Sequence, residues 1–216
     1  MRAFLLLALA LAAVAAGAEE RQLVDEVVAV VDAHSVTLSE LAAETRVRLV
    51  EQQGAQAASS PLDRPLLAAS LRRLVEERVV LSEVERLKVF DLDHAEVESA
   101  LARLRARFPG SAAWDAFTRQ LELTNEEIAA VLGRELRVAR YLDNRLKLAA
   151  QLRDSELDEA WKAAGAQGDR EALRQRLSKE KYERMLTELL AELRRRASVR
   201  IVDPLDDGTR SIAERH

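Results

Sequence analysis

The sequence predicts an all-α, mainly helical fold with a small sheet formed by short N- and C-terminal strands. Three observations predict it. The apolar content is mostly Leu, Ala and Val, Glu and Arg are abundant, and only 7 glycines and 4 prolines interrupt 216 residues, a mixture that favours helix. Hydroxyl or acidic caps precede several runs of helical periodicity. Strand-like segments near Val27–Val31 and Val199–Ile201 bracket those runs. With 48% hydrophobic and 32% charged residues, the chain can bury a core and keep a solvated surface.

Val27 to Val31 is an unbroken run of small, mostly β-branched residues, as expected of a buried strand. Asp32-Ala33-His34 reads as a turn and Ser35 to Thr37 as a short return strand. Thr37-Leu38-Ser39-Glu40 fits a capping box, with a helix following to about Gln52. Gly54 to Pro65, small and polar with two prolines, reads as a loop. Leu67, Leu71, Leu74 and Val75 share one helical face, on a helix that reaches Leu87. Asp93-His94-Ala95-Glu96 opens a helix that Pro109-Gly110 ends, and Ser111 to Leu121 forms a short helix carrying Trp114 and Phe117.

Thr124-Asn125-Glu126-Glu127 is another capping box, opening a helix to about Leu152 with Ile128, Leu132, Leu136, Ala139, Leu142 and Leu146 as its buried face. Ser155 to Ala163 is a short helix closed by the Gly165–Gly168 loop. The last helix, 170–197, places Tyr182, Leu186, Leu189, Leu190, Leu193 and Ala197 at helical spacing and runs into an alternating strand at 198–202. Residues 203–216, polar and containing Pro204 and Gly208, read as a flexible tail. Gly133, inside a helix, costs about 1 kcal/mol relative to Ala and either allows close helix approach or is simply tolerated.

Residues 1–18 resemble a cleaved secretion signal: Arg2, an apolar stretch from Phe4 to Ala16, and the small-x-small site Ala16-Gly17-Ala18. The stretch is shorter than the ~20 residues of a membrane span, so an uncleaved anchor is the lesser reading. Cleavage after Ala18 leaves residues 19–202 as a single helical domain, expected in the periplasm and without stable membrane insertion. The formal net charge is −4, which argues against non-specific nucleic-acid binding. The chain has no cysteine, which excludes disulfides, thiolate metal sites and a cysteine nucleophile.

Few residues invite chemistry. His34 lies near Asp32 and Ser35, but triads are defined by geometry and not by adjacency, so a turn histidine is the better reading. His94, after Asp91 and Asp93, has no second histidine nearby, so polarity at a helix start explains it better than a metal site. Arg72-Arg73, Arg103-Arg105-Arg107 and Arg194-Arg195-Arg196 lie among glutamates and read as solvated helix faces; alternate residues on a helix lie ~200° apart. No catalytic, cofactor-binding or metal residue is expected. Trp114, Phe117, Tyr141, Met185 and Leu189 remain as candidates for contact with a bound polypeptide, although core packing is the stronger reading for each.

Val27-Val28-Ala29-Val30-Val31-Asp32, followed by Val36-Thr37-Leu38-Ser39-Glu40-Leu41, resembles the start of SurA-like periplasmic chaperones. Leu74 to Glu83 is similar to that family's second helix, Asp93 to Phe108 and Trp114 to Leu146 to its helical hairpins, and Leu186 to Val202 to its closing helix and strand. Two departures are visible. Asp32 stands where the turn more often has Asn, and Lys88 where a Gly usually ends the second helix. The resemblance implies a SurA N-terminal/trigger-factor-C-like chaperone core that holds unfolded segments in a groove. Many relatives carry parvulin-type prolyl isomerase domains before the last helix. Here Ala163 is followed almost at once by Arg170, leaving no room for a domain of roughly 90–100 residues.

The resulting expectation is an exported, ATP-independent holdase for unfolded envelope or outer-membrane polypeptides, without cofactor. An adaptor for one dedicated envelope partner is the main alternative, and a residual prolyl isomerase the third.

Overall fold

The computed structural model describes residues 25–205. The expected signal segment lies outside them, as does the expected tail beyond Leu205. Strand β1 (Val27–Val31) turns into β2 (His34–Thr37), and helix α1 (Leu38–Gln53) follows directly. A 3-10 turn (Ala55–Ser59) leads to α2 (Arg64–Leu87). Then come α3 (His94–Arg105), α4 (Ser111–Leu121), α5 (Asn125–Leu146), α6 (Asp154–Ala163), α7 (Arg170–Arg196) and β3 (Val199–Ile201). The described residues are thus mainly helical, with their first and last strands joined in one antiparallel sheet of order β2-β1-β3.

β1 is the central strand because both neighbours pair with it: Val31 faces His34 on one side and Val199 on the other. Its Val28, Ala29 and Val31 are buried, as its unbroken apolar run implies. Asp32 makes the tight turn at φ 52°, a left-handed conformation that Asp and Asn tolerate better than most residues. Its backbone N–H donates to Ser198 O at 2.7 Å. Its carboxylate accepts from Ser198 N–H at 2.8 Å and from the Ser82 hydroxyl of α2. These donors, Ser82 first, hold the Asp32 carboxyl below the usual carboxylate range.

Two apolar clusters fill the interior. The larger joins the sheet to α2, the C-terminal half of α5 and the end of α7, through residues such as Val28, Leu71, Val79, Tyr141 and Leu193. The smaller joins Val47 and Val50 of α1 to Leu104, Trp114, Phe117, Ile128 and Leu132. Helix α1, with Leu41 in the larger and Val47 in the smaller, and helix α5 run through both. Leu205, expected in the tail, is buried in the larger cluster, so packing continues past β3 as far as Leu205.

Other differences from expectation have local causes. The stretch read as a loop contains the 3-10 turn, and α2 starts at Arg64 because Asp63 accepts from Leu66 N–H at 2.9 Å. Pro65 sits in the first helical turn, where no N–H is needed. The Thr124 and Asp93 capping boxes form in full. The Thr37 box forms by half: Thr37 Oγ1 accepts from Glu40 N–H at 3.3 Å, but the Glu40 carboxylate turns to Arg78 at 2.7 Å. Helix α5 ends at Leu146, before the expected Leu152, and its buried face takes in Val131, Val138 and Tyr141 while Ala139 is exposed. On α7, Leu189 and Leu193 are buried and Tyr182 is exposed.

Lys88 ends α2 at φ 51° and ψ 46°, the left-handed cap that glycine adopts without strain. Replacing Lys88 by Gly should raise stability by about 1 kcal/mol, the approximate cost of a side chain in that conformation. Urea denaturation of the variant checks it; an unchanged midpoint would mean that Lys88 supplies a compensating contact.

Candidate functional site

An open groove of about 830 Å³ lies between the turn end of the sheet, α2, α3 and α5. Its apolar lining is small: Leu81, Leu92, Val97, Ala129, Ala130 and Gly133. A Cβ added at Gly133 would meet Val97 at 3.7 Å, an ordinary contact, so glycine is not sterically required there. Its effect is to leave the wall of the groove one methyl lower. His34 and Ser35 of β2 form one end of the lining. β2 is an edge strand, and among the described residues no backbone hydrogen bond leaves its outer side. An extended chain laid there would find unpaired main-chain groups beside a groove of mixed apolar and charged lining, the arrangement by which sheets take up peptide strands.

Behind the groove, α1, α2 and α5 are joined by charge. Arg78, buried, donates to Glu40 and Glu44 at 2.7 Å each. Arg134 pairs with Glu44 and comes within 4.0 Å of Glu40. Arg48 bonds Glu77 at 2.7 Å and lies 2.7 Å from Glu135. Burial alone pulls the Arg78 guanidinium down, and Glu44 and Glu40 outweigh it, so it is held above its ordinary value. Because Glu40, Arg78 and Arg134 also line the groove, one wall of the site is an internally neutralised network.

Glu135 behaves otherwise. Burial pushes its carboxyl from 4.5 up to about 8, despite Arg48 beside it. Arg48 is shared with Glu77, and the charges of Glu51 and Glu77 oppose a further anion. The approach of Arg48 to Glu135 Oε1 is a charge contact without an aligned N–H, since that oxygen is buried without a hydrogen-bond partner. Burial raises Glu77 as well.

The candidate contact residues fall elsewhere. Trp114, Phe117 and Tyr141 are 1%, 2% and 1% exposed. Trp114 and Phe117 pack with Phe108, and Trp114 Nε1 donates to Asn125 at 3.0 Å. Tyr141 meets Phe90 edge-on in the other cluster. Leu189 is buried, while Met185 is half-buried against the larger core. The first four thus pack in the core, the stronger of the two readings for each, and none of the five lines the groove. The groove residues escaped the sequence reading because they are small or charged. The row Glu40, Glu44, Arg48, with i, i+4, i+8 spacing, was the available signal for a polar helix interface.

Asp32 spends its carboxylate on Ser82 and Ser198, so it does not orient His34 as a triad would. Among the described residues no group of acids and histidines is arranged to hold a metal ion, and no helix is long and apolar enough to cross a membrane. No protein-family model matches the chain, and no curated protein matches it significantly.

Two outcomes follow from the charged interface. Arg78→Met should destabilise the protein by about 3 kcal/mol in urea denaturation, because Glu44 stays buried with one partner fewer. A loss under 1 kcal/mol would show that Arg134 alone satisfies Glu44. For Glu135 the sign is set by a folded-state pKa above the unfolded one. Its favourable contribution is complete below pH 4.5 and is lost as pH rises to about 8. Glu135→Gln should therefore flatten the fall in melting temperature across that window and be the more stable form at its upper end. A parallel decline in both proteins would contradict the assignment.

Proposed function

We propose that this protein is an exported, ATP-independent holdase that binds unfolded envelope or outer-membrane polypeptides. The observation that carries the reading is the coincidence of an unpaired strand edge with a groove that sets Leu92, Val97 and Ala129 among charged side chains. Apolar side chains of a client would be withdrawn from water against Val97, Leu92 and Ala129, and main-chain groups would bond along β2. Such binding shifts a client away from aggregation by mass action and without chemistry. The small groove residues fit varied side chains, and the charged wall keeps the empty groove hydrated. The short connection at 164–169 between α6 and α7 supports a protein without an inserted isomerase domain.

A second reading, an adaptor for one dedicated envelope partner, is favoured by α7. At roughly 40 Å long, its N-terminal part leans on α6 and leaves Tyr182 exposed. A folded partner could use that surface.

Dilution of a chemically unfolded outer-membrane protein, with and without the mature chain and without ATP, separates the two. The holdase reading expects suppression of aggregation at near-stoichiometric amounts. It also expects Ala130→Trp, which fills the groove from an exposed position, to abolish suppression while leaving the helical circular-dichroism signal intact. A folded protein that suppresses nothing would point to the dedicated-partner reading.

A further inference from the structure

The charges around the groove are not balanced. Glu40, Arg78 and Arg134 are committed to one another and to Glu44. Of the remaining acids, Glu85, Asp91 and Glu126 are exposed and have no ion pair among the described residues, while Glu98 has only the exposed His94 at 3.9 Å. Against these stands Arg137, half-buried, the one lining guanidinium without a carboxylate partner among the described residues. With the histidines neutral, the uncommitted groups leave the groove acidic, and its concave shape concentrates that field.

We infer that the groove selects extended polypeptide segments in which lysine or arginine accompanies small apolar side chains. This rests on the groove being the client site and specifies which segments enter it. Side chains alternate along an extended chain, so a segment paired to β2 can turn small apolar residues toward Val97 and Ala129 and present cations to Glu85, Asp91 and Glu98. A segment bearing carboxylates meets the same apolar surface with opposed charge. Arg137 gives such a segment one favourable contact, and a single guanidinium does not offset the surrounding acids. Binding is then sensitive to salt, because exposed charges are screened beyond a Debye length of about 10 Å at 0.1 M.

Short fluorescein-labelled peptides with one alternating Ala/Val pattern, interleaved with Lys, Ser or Glu, test this by fluorescence anisotropy on the mature chain. The Lys peptide should bind about tenfold more tightly than the Glu peptide at low salt, with the gap closing as salt is added. The double variant Glu85→Lys/Glu98→Lys should erase or invert the order. Glu159→Lys/Glu188→Lys makes the same change in net charge at exposed positions outside the groove and should preserve it. The milder Asp91→Asn, which should narrow the gap, stands in if the double variant fails to fold. Equal affinity for Lys and Glu peptides, or an order that responds as strongly to the distant pair, overturns the inference and leaves the holdase reading in place. Failure of every peptide to bind overturns both.

Discussion

The turn at Asp32 is where the first and last strands of the described residues are tied together. Its N–H and carboxylate take the backbone of Ser198, its carboxylate also takes the hydroxyl of Ser82, and the pairing of Val31 with Val199 continues from that point. A helix as long as α7 has only a narrow apolar stripe to hold it. Pairing of β3 to β1 fixes where the stripe ends, and so brings Leu189 and Leu193 into the larger core. It also leaves β2 at the edge of the sheet, beside the groove. If β3 did not close the sheet, the end of α7 would lose its register against α2.

The second constraint is electrostatic. Three guanidiniums and four carboxylates meet where α1, α2 and α5 come together. Taking such groups out of water is expensive, and mutual attraction returns the cost only when geometry is good. Arg78 meets that condition, with two carboxylates at 2.7 Å. Glu135 does not, and it answers burial by holding its proton. An apolar interface of equal volume would serve stability as well. The polar one keeps Glu40 and Arg134 at the wall of an open groove.

The aromatic residues weighed as contacts for a bound polypeptide, Trp114, Phe117 and Tyr141, are buried in the two cores. Large aromatics contribute most when fully removed from water, which makes them core residues before they are contact residues. The groove is built instead from Ala129, Ala130, Gly133 and Val97, whose small side chains leave space open.

Local sequence settled the elements that depend on neighbours along the chain. The β-branched run at Val27–Val31, the capping boxes at Thr124 and Asp93, and the helical period of α2 and α7 act over a few residues, and each formed where expected. The joining of the terminal strands was legible because an apolar strand needs partners on both edges. What only the tertiary structure decided is the pairing of charges far apart in the chain. Glu40 abandons its own helix cap because Arg78 arrives from another helix, and Leu205 packs into the larger core beyond the last strand. The groove belongs to the same class. It is a space between elements, made where small side chains on α3 and α5 fail to fill the distance that the larger ones impose.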